Sequence, residues 1–229
     1  MDETWLAVDR FIGDLLFPSD PALASALAAS AAAGLPDIQV APNQGMLLHL
    51  LARLQGACRV LEIGTLGGYS AIWLARALPE GGHLLTIEAE PRHARVAREN
   101  IARAGLGDVV EVREGRAADV LREIAAESRS PFDLVFIDAD KRNTSLYFAW
   151  AMRLAHPGSL IIVDNVVRGG RLADEASEDP DVQGMRRFLQ ELATEERVQA
   201  TALQTVGSKG YDGFAIALVL DEAVKSAPN

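Results

Sequence analysis

The stretch Val60–Ser70 constrains the fold of this chain more than any other part of the sequence. It begins with an apolar run, which is typical of a strand that is buried on both faces of a parallel sheet. Gly64, Gly67 and Gly68 then permit a tight turn, and a helix is predicted from the end of the turn to residue 78. A strand, a glycine turn and a helix N-terminus together let a ligand approach the backbone closely.

From residue 59 onward the sequence alternates between strand and helix patterns. Strands are predicted over residues 59–64, 83–88, 109–113, 132–138, 159–164, 199–206 and 214–220, with helices near 69–78, 91–104, 116–127, 144–155 and 181–196. This alternation predicts an α/β fold, a Rossmann-like, doubly wound sheet of seven mostly parallel strands. The segment Gly207–Gly213 is too short for a crossover helix, so we expect the last strand to pair antiparallel. Ligands should bind at the carboxyl ends of the strands.

The first 57 residues carry three further helix patterns, over residues 3–17, from Asp20-Pro21 to Ala33, and from Pro42 onward. We therefore expect one domain over residues 1–229, with an N-terminal helical segment (1–57) and an α/β core (58–221). Trp5 and Phe11 are expected in the core or in a dimer contact. A homodimer is predicted because Trp5, Phe11 and Phe17 lie in a region that the core sheet does not need.

Composition excludes several classes of partner. The chain has 229 residues and a net charge of −10, without a basic run, so nucleic acid is not an expected partner. No apolar run reaches membrane-spanning length, and acidic residues near the N-terminus argue against a signal peptide. The single cysteine, Cys58, excludes an internal disulfide and favours a reducing, cytoplasmic location. We interpret Cys58 as a small buried residue.

The residues around the glycine turn indicate its ligand. The pattern is E-x-G-x-x-x-G, with Glu62 ahead of the first glycine and Leu66 where a dinucleotide-binding G-x-G-x-x-G motif has glycine. An acid at this place disfavours a pyrophosphate and suits an ammonium group or a sulfonium-bearing amino acid. The next predicted strand ends in Glu88, whose carboxylate could bind both hydroxyls of a ribose. Together these features predict S-adenosylmethionine as the cofactor.

Two later strands end in acids. Asp138 ends one of them, and Asp164 and Asn165 end the next. If the strands are neighbours, these ends lie about 5 Å apart, and three oxygen ligands converge. Such a set suits a hard divalent cation, Mg²⁺ first, with Ca²⁺ or Mn²⁺ as alternatives. Lys141 follows three residues after Asp138 and is a candidate general base toward a hydroxyl group, the alternative being a surface lysine paired with Asp140.

These segments make the chain recognisable. Leu61–Ser70, Phe136–Lys141 and Val163–Asn165 occur in the order typical of one family, and Pro42–Gly45 matches its segment ahead of the first strand. From about residue 38 to the C-terminus the chain resembles the cation-dependent class I O-methyltransferases, which include the catechol and caffeoyl-coenzyme A O-methyltransferases. The loop Val166–Leu172 lacks the aromatic residue that is usual in plant members and is closer to bacterial members.

The resemblance implies a role for each site residue. The cofactor-binding residues would be Val40, Glu62, Gly64, Ser70, Glu88, Ala117, Asp138, Asp140 and Tyr147. Among them, Glu88 would bind the ribose and Ala117 would face the adenine edge. The metal ligands would be Asp138, Asp164 and Asn165, with Asp138 serving both cofactor and metal. Lys141 matches the family's proposed base, and we count Asp138 with it as catalytic.

The predicted reaction is metal-dependent methyl transfer to a hydroxyl of a small, catechol-like acceptor, whose identity the sequence leaves open. One alternative is a nucleotide-dependent oxidoreductase on a similar sheet, which Leu66 and the Asp138, Asp164 and Asn165 cluster disfavour. The other is a module that binds S-adenosylmethionine without catalysis, which would have no need for Lys141 or the acidic cluster.

Overall fold

The structure, a computed structural model, describes residues 2–17, 19–127 and 131–221. The described residues form eight α-helices and seven strands. The helices are α1 (Glu3–Leu16), α2 (Pro21–Ala32), α3 (Pro42–Gln55), α4 (Tyr69–Ala75), α5 (Pro91–Arg103), α6 (Ala117–Ala126), α7 (Thr144–Leu154) and α8 (Pro180–Thr194). The strands are β1 (Arg59–Ile63), β2 (His83–Glu88), β3 (Val110–Glu114), β4 (Phe132–Ile137), β5 (Ala155–Asp164), β6 (Val198–Gly207) and β7 (Gly210–Val219).

All seven strands belong to one sheet in the order β3-β2-β1-β4-β5-β7-β6. The pairs from β3 to β5 are parallel, and β7 runs antiparallel to both β5 and β6. The predicted doubly wound sheet with an antiparallel last strand is therefore confirmed. The strand order reverses between β1 and β4, and this switch point is where a sheet of this kind opens a crevice for ligands.

Two apolar clusters cover the two faces of the sheet. On one face, side chains of α6, α7 and α8 pack against β1, β2, β4 and β5. On the other face, α2, α3, α4 and α5 pack against the same strands. The central strands are buried on both sides, which explains why they read as continuous apolar runs. The rigid sheet then presents its strand ends as the floor of the crevice.

Two boundaries differ from the prediction. β6 and β7 are joined by Ser208 and Lys209 alone, so the expected loop to residue 213 is mostly strand. β5 begins at Ala155 rather than at residue 159, because polar contacts hold its first residues against β4: His156 Nε2 lies 2.9 Å from an Asp133 oxygen, and Ser159 donates to the Phe132 carbonyl.

The N-terminal helices confirm the helix prediction and exclude one of the two alternatives for Phe11, and the interpretation of Cys58 as a buried residue is wrong. None of the described residues of α1 is buried, and Phe11 is 67% exposed, so Phe11 is not a core residue of this chain. Cys58 is exposed, because it lies in the bend that precedes β1 rather than within the strand. In the described ranges, no helix is long and apolar enough to cross a membrane.

Candidate active site

A cavity of about 670 Å³ opens at the switch point, above the carboxyl ends of β1, β2, β4 and β5. Its volume lies within the usual range for small-molecule sites. Of the residues proposed from sequence, the cavity wall contains Val40, Gly64, Ser70, Glu88, Ala117, Asp138, Asp140, Lys141, Tyr147, Asp164 and Asn165. One predicted residue, Glu62, lies behind this wall rather than in it.

The glycine turn after β1 is held by its neighbours on both sides. Gly64 donates to the Ile87 carbonyl at 3.0 Å, while Asp138 N donates to the Ile63 carbonyl at 2.9 Å. Gly64 has φ +101°, and a Cβ there would collide with the carbonyl oxygen of Asp138. Only glycine fits, because the backbones of β1 and β4 meet at this point.

Glu88 stands at the end of β2 and is 8% exposed. One carboxylate oxygen accepts from the backbone N–H groups of Thr65 and Leu66, at 3.2 and 2.7 Å, and the other accepts from Glu90 N at 2.9 Å. Leu66 has φ +49°, an uncommon conformation for a non-glycine residue, which this carboxylate stabilises. Glu88 therefore both faces the cavity and fixes the turn.

Glu62 is fully buried, and both of its oxygens are occupied. Ser70 Oγ donates to one oxygen at 2.6 Å and Thr86 Oγ1 donates to the other at 2.5 Å. Burial raises the pKa of Glu62 to about 8, in spite of these two hydrogen bonds. Glu62 thus orients Ser70, which lines the cavity. Thr86 has no sequence motif that would have indicated its part in this network.

Lys141 is buried, and its Nζ lies 2.8 Å from Oδ1 of Asp138. It begins a short 3₁₀ turn, Lys141–Asn143, whose N-cap is Asp140. Gly184 of α8 packs against the backbone of Lys141 and holds the turn over the cavity. The alternative of a surface lysine paired with Asp140 is wrong, because Lys141 is buried and pairs with Asp138. Asp140 accepts from the Tyr147 hydroxyl. Burial and this hydrogen bond raise the pKa of Tyr147.

Asp164 and Asn165 stand beside Asp138, since Ile137 of β4 pairs with Val163 of β5. Asp164 is buried; burial, and then the charge of Asp138, raise its pKa to about 7, while the charge of Lys141 and the Gln44 side chain oppose the rise. Two close carboxylates and the Asn165 amide oxygen form a donor set that fits a hard cation. In the described part of the chain no three His, Cys, Asp or Glu side chains form such a group, so Asn165 is needed to complete it.

Other residues of the cavity wall were not predicted from the sequence. His93 of α5 lies 3.7 Å from Glu88, and Tyr69 begins α4. At the outer end, the wall includes Ile38, Arg168 and Lys209. The residues of this second group come from separate segments, and no local pattern predicts that they meet.

The sequence and the structure of this chain are similar to those of known O-methyltransferases. The model of a family described as O-methyltransferase matches residues 19–218. The catechol O-methyltransferase of Niastella koreensis is 53% identical over 213 residues, which cover 93% of this chain and 96% of that protein. The catechol O-methyltransferase of Mycobacterium tuberculosis is 55% identical, with 93% and 94% covered. The crystal structure of a Bacillus cereus O-methyltransferase in complex with SAH superposes with a TM-score of 0.94 at 57% identity, covering 96% and 100% of the two chains.

Proposed function

The chain belongs to the O-methyltransferase family as an S-adenosylmethionine-dependent enzyme, and we propose that it methylates a hydroxyl of a vicinal diphenol with the help of a divalent cation. The observation that carries the proposal is the convergence of Glu88, Asp138, Asp164 and Lys141 on one cavity at the switch point. The names of the two catechol O-methyltransferases support the class of acceptor. The oxidoreductase and the non-catalytic module are set aside, because the family is one of transferases.

In this proposal the cofactor occupies the part of the cavity between β1, β2 and β4. Glu88 binds the ribose hydroxyls, and Ala117, the first residue of α6, borders the adenine. Ser70, Asp138 and the backbone of Gly64 and Val40 surround the methionine part, with Asp140 and Tyr147 on the same side. Glu62 acts through Ser70. The SAH complex of the Bacillus cereus relative supports a nucleoside ligand in this fold.

The cation would be held by Asp138, Asp164 and Asn165, with Mg²⁺ the expected ion. The fit rests on the buried Asp164 carboxylate, which stands close enough to Asp138 for the two charges to disfavour each other. A bound cation would lower the pKa of a vicinal hydroxyl and orient its oxygen.

Lys141 would take the proton of the acceptor hydroxyl at Nζ. The acceptor oxygen then forms a bond to the methyl carbon as the carbon–sulfur bond breaks, and the sulfonium becomes a neutral thioether. Asp138 holds the Lys141 amine in place, because the two groups are 2.8 Å apart. Lys141 is only 8% exposed and its backbone packs against Gly184 of α8, so its amine has few positions.

An acceptor screen tests this function. Catechol, resorcinol and phenol are incubated with methyl-labelled S-adenosylmethionine and Mg²⁺, and labelled product is separated by chromatography. We expect methylation of catechol and little transfer to resorcinol or phenol, because only vicinal oxygens can both reach one cation. Equal methylation of resorcinol would contradict the vicinal requirement, and no transfer to any diphenol would contradict the acceptor class.

Three further properties are part of the proposal. We propose a homodimer, supported by the exposed apolar side chains of α1, namely Val8, Phe11, Leu15 and Leu16. We propose a single domain, because α2 and α3 share an apolar cluster with the α/β core. A cytoplasmic location agrees with a chain whose one cysteine is a free thiol.

A further inference from the structure

The outer end of the cavity is lined by residues that neither the cofactor nor the cation uses in the proposed function. Ile38 supplies an apolar surface, 68% exposed, that could cover an aromatic ring. The same wall contains two cations, Arg168 and Lys209, and two acids, Asp37 and Asp181. An acceptor that extends along this part of the wall would meet these groups.

Arg168 is held rigidly in this wall. It lies in the loop after Asn165 and has φ +57°, a conformation that is uncommon for arginine. One oxygen of Asp212 accepts from the backbone N–H groups of Val167 and Arg168, at 3.0 and 2.9 Å, and fixes the loop. A strained backbone that its surroundings hold in one position is typical of functional sites.

The guanidinium of Arg168 has few polar contacts with the rest of the described chain. Its side chain is 21% exposed, and Nη2 lies 3.8 Å from Asp181, which is beyond hydrogen-bond distance. Its Nε is buried and has no hydrogen-bond acceptor among the residues that the structure describes. A buried donor of this kind is costly to leave unpaired, and the protein itself does not satisfy this guanidinium fully. The exposed part of the Arg168 side chain lines the cavity, and a ligand could bind there.

The acids nearby are already engaged. Asp37 accepts from Lys209 Nζ at 2.9 Å and from Gln39 at 2.7 Å. Asp181 lies 3.2 Å from Arg142 Nε. An ammonium group on the acceptor would have to displace one of these pairs, whereas an acidic group would meet the exposed part of the Arg168 side chain.

We propose that Arg168 binds a carboxylate on the methyl acceptor, so that the preferred acceptors are vicinal diphenols that carry an acidic arm. The inference rests on the proposed function and names the substrate class of the same site. A guanidinium offers parallel N–H donors that match the two oxygens of a carboxylate, which a neutral amide cannot reproduce.

The test compares acids with their primary amides. Protocatechuate has the carboxylate on the catechol ring, and dihydrocaffeate has it two methylene groups away. The two compounds therefore place the carboxylate at two distances from the reacting hydroxyls. For each compound we compare kcat/KM for methyl transfer with that of the amide, which has a similar size. In dihydrocaffeate the two methylene groups insulate the ring from the electronic difference between the acid and the amide, and for protocatechuate the same acid-to-amide ratio in the Arg168 variants provides the reference. In the wild type at least one acid should exceed its amide about tenfold or more, the range for charge-assisted hydrogen bonds.

Arg168→Gln should reduce this acid-to-amide ratio to within about threefold of one, because the amide serves as the reference within each variant. Arg168→Lys should restore part of the ratio, since it keeps the charge without the planar fork. Arg142→Gln is the matched control: it removes a cation next to the same Asp181, but Arg142 lies outside the cavity wall, so the ratio should be kept.

A wild-type ratio near one for both acids would overturn the inference, as would an equal loss in Arg142→Gln, which would indicate a general charge effect. Calorimetric Kd values for the same acids and amides, measured with SAH present, separate this inference from the proposed function. If no compound, catechol included, is methylated but an acid still binds more tightly than its amide through Arg168, the reaction is wrong and the binding site stands. Equal Kd values for acid and amide would overturn the site itself.

Discussion

At the scale of single residues, the proposed chemistry depends on Lys141, a buried amine next to a carboxylate. Its Nζ contacts Asp138 at 2.8 Å, and its backbone is packed under Gly184. A lysine side chain on the surface can adopt many conformations, whereas the buried side chain of Lys141 can adopt few. A side chain held in this way suits the proton removal that we propose for it.

Lys141→Ala should lower turnover on catechol by about 10²–10⁴-fold, the usual effect of losing a general base. Affinity for S-adenosylmethionine should stay nearly unchanged, since its proposed contacts do not involve the ammonium. The defect should shrink with a more acidic diphenol, which ionises with less help. Steady-state kinetics and calorimetry provide both values; wild-type turnover in the variant would show that Lys141 has no part in proton transfer.

At the scale of elements, the glycine turn and the strand ends build the site together. The turn was predictable because glycines and apolar runs are local signals, and the acids at the ends of β2, β4 and β5 followed from the parallel topology. The hydrogen-bond network of Glu62 was not predictable, because its donors, Ser70 and Thr86, belong to two other elements. The outer wall was missed for the same reason, as Ile38, Arg168 and Lys209 belong to three separate segments.

Gly64→Ala should destabilise the chain by about 3 kcal/mol or more, because the added Cβ collides with the Asp138 carbonyl and alanine disfavours φ +101°. Denaturant unfolding followed by circular dichroism gives the free energy of unfolding. Gly107→Ala is the control, since a Cβ there meets nothing within 4 Å. Equal stability of the two variants would mean that β1 and β4 are not in contact at the turn.

The start of β5 should make stability depend on pH. The hydrogen bond that His156 donates to Asp133 raises the pKa of His156 above its ordinary 6.5. Burial acts to raise the pKa of Asp133, but the same hydrogen bond holds it low. A raised histidine pKa contributes stability that is complete below the unfolded value and is lost as the pH rises through the folded value. The Asp133 contribution is present above its unfolded pKa and is lost in acid.

The wild type should therefore exceed His156→Gln in stability more at about pH 5.5 than at about pH 8.5. Thermal unfolding of both proteins at the two pH values measures the difference in Tm. A difference that is constant or grows toward high pH would show that the His156–Asp133 pair does not titrate as described.

At the scale of the whole molecule, the N-terminal helices leave apolar surface uncovered. Phe11, Leu15 and Leu16 of α1 are each about two thirds exposed, and Leu54 of α3 is 83% exposed. Exposed apolar side chains in such a group are typical of a protein–protein contact. The sequence could indicate that this helix is amphipathic, but it could not distinguish a face that packs on its own core from one that packs on a second copy.

In solution the protein should have twice the chain mass of 24.6 kDa by light scattering. Replacing Phe11 and Leu15 together by serine should shift it toward the monomer, because both side chains lie on the exposed face of α1. Leu146→Ser, at an exposed position on α7, should leave the mass unchanged. A wild-type monomer across the micromolar range would refute the dimer.

Methyl transfer in the proposed function requires a divalent cation that the Asp138, Asp164 and Asn165 oxygens hold. The most direct measurement is transfer of labelled methyl to catechol by protein treated with EDTA, before and after Mg²⁺ is added in excess. We predict that activity falls to background with the chelator, that Mg²⁺ restores it in the wild type, and that Asp164→Ala shows little restoration at the same Mg²⁺ concentration. Full activity in excess EDTA, with no metal found by elemental analysis, would show that methyl transfer does not need a cation.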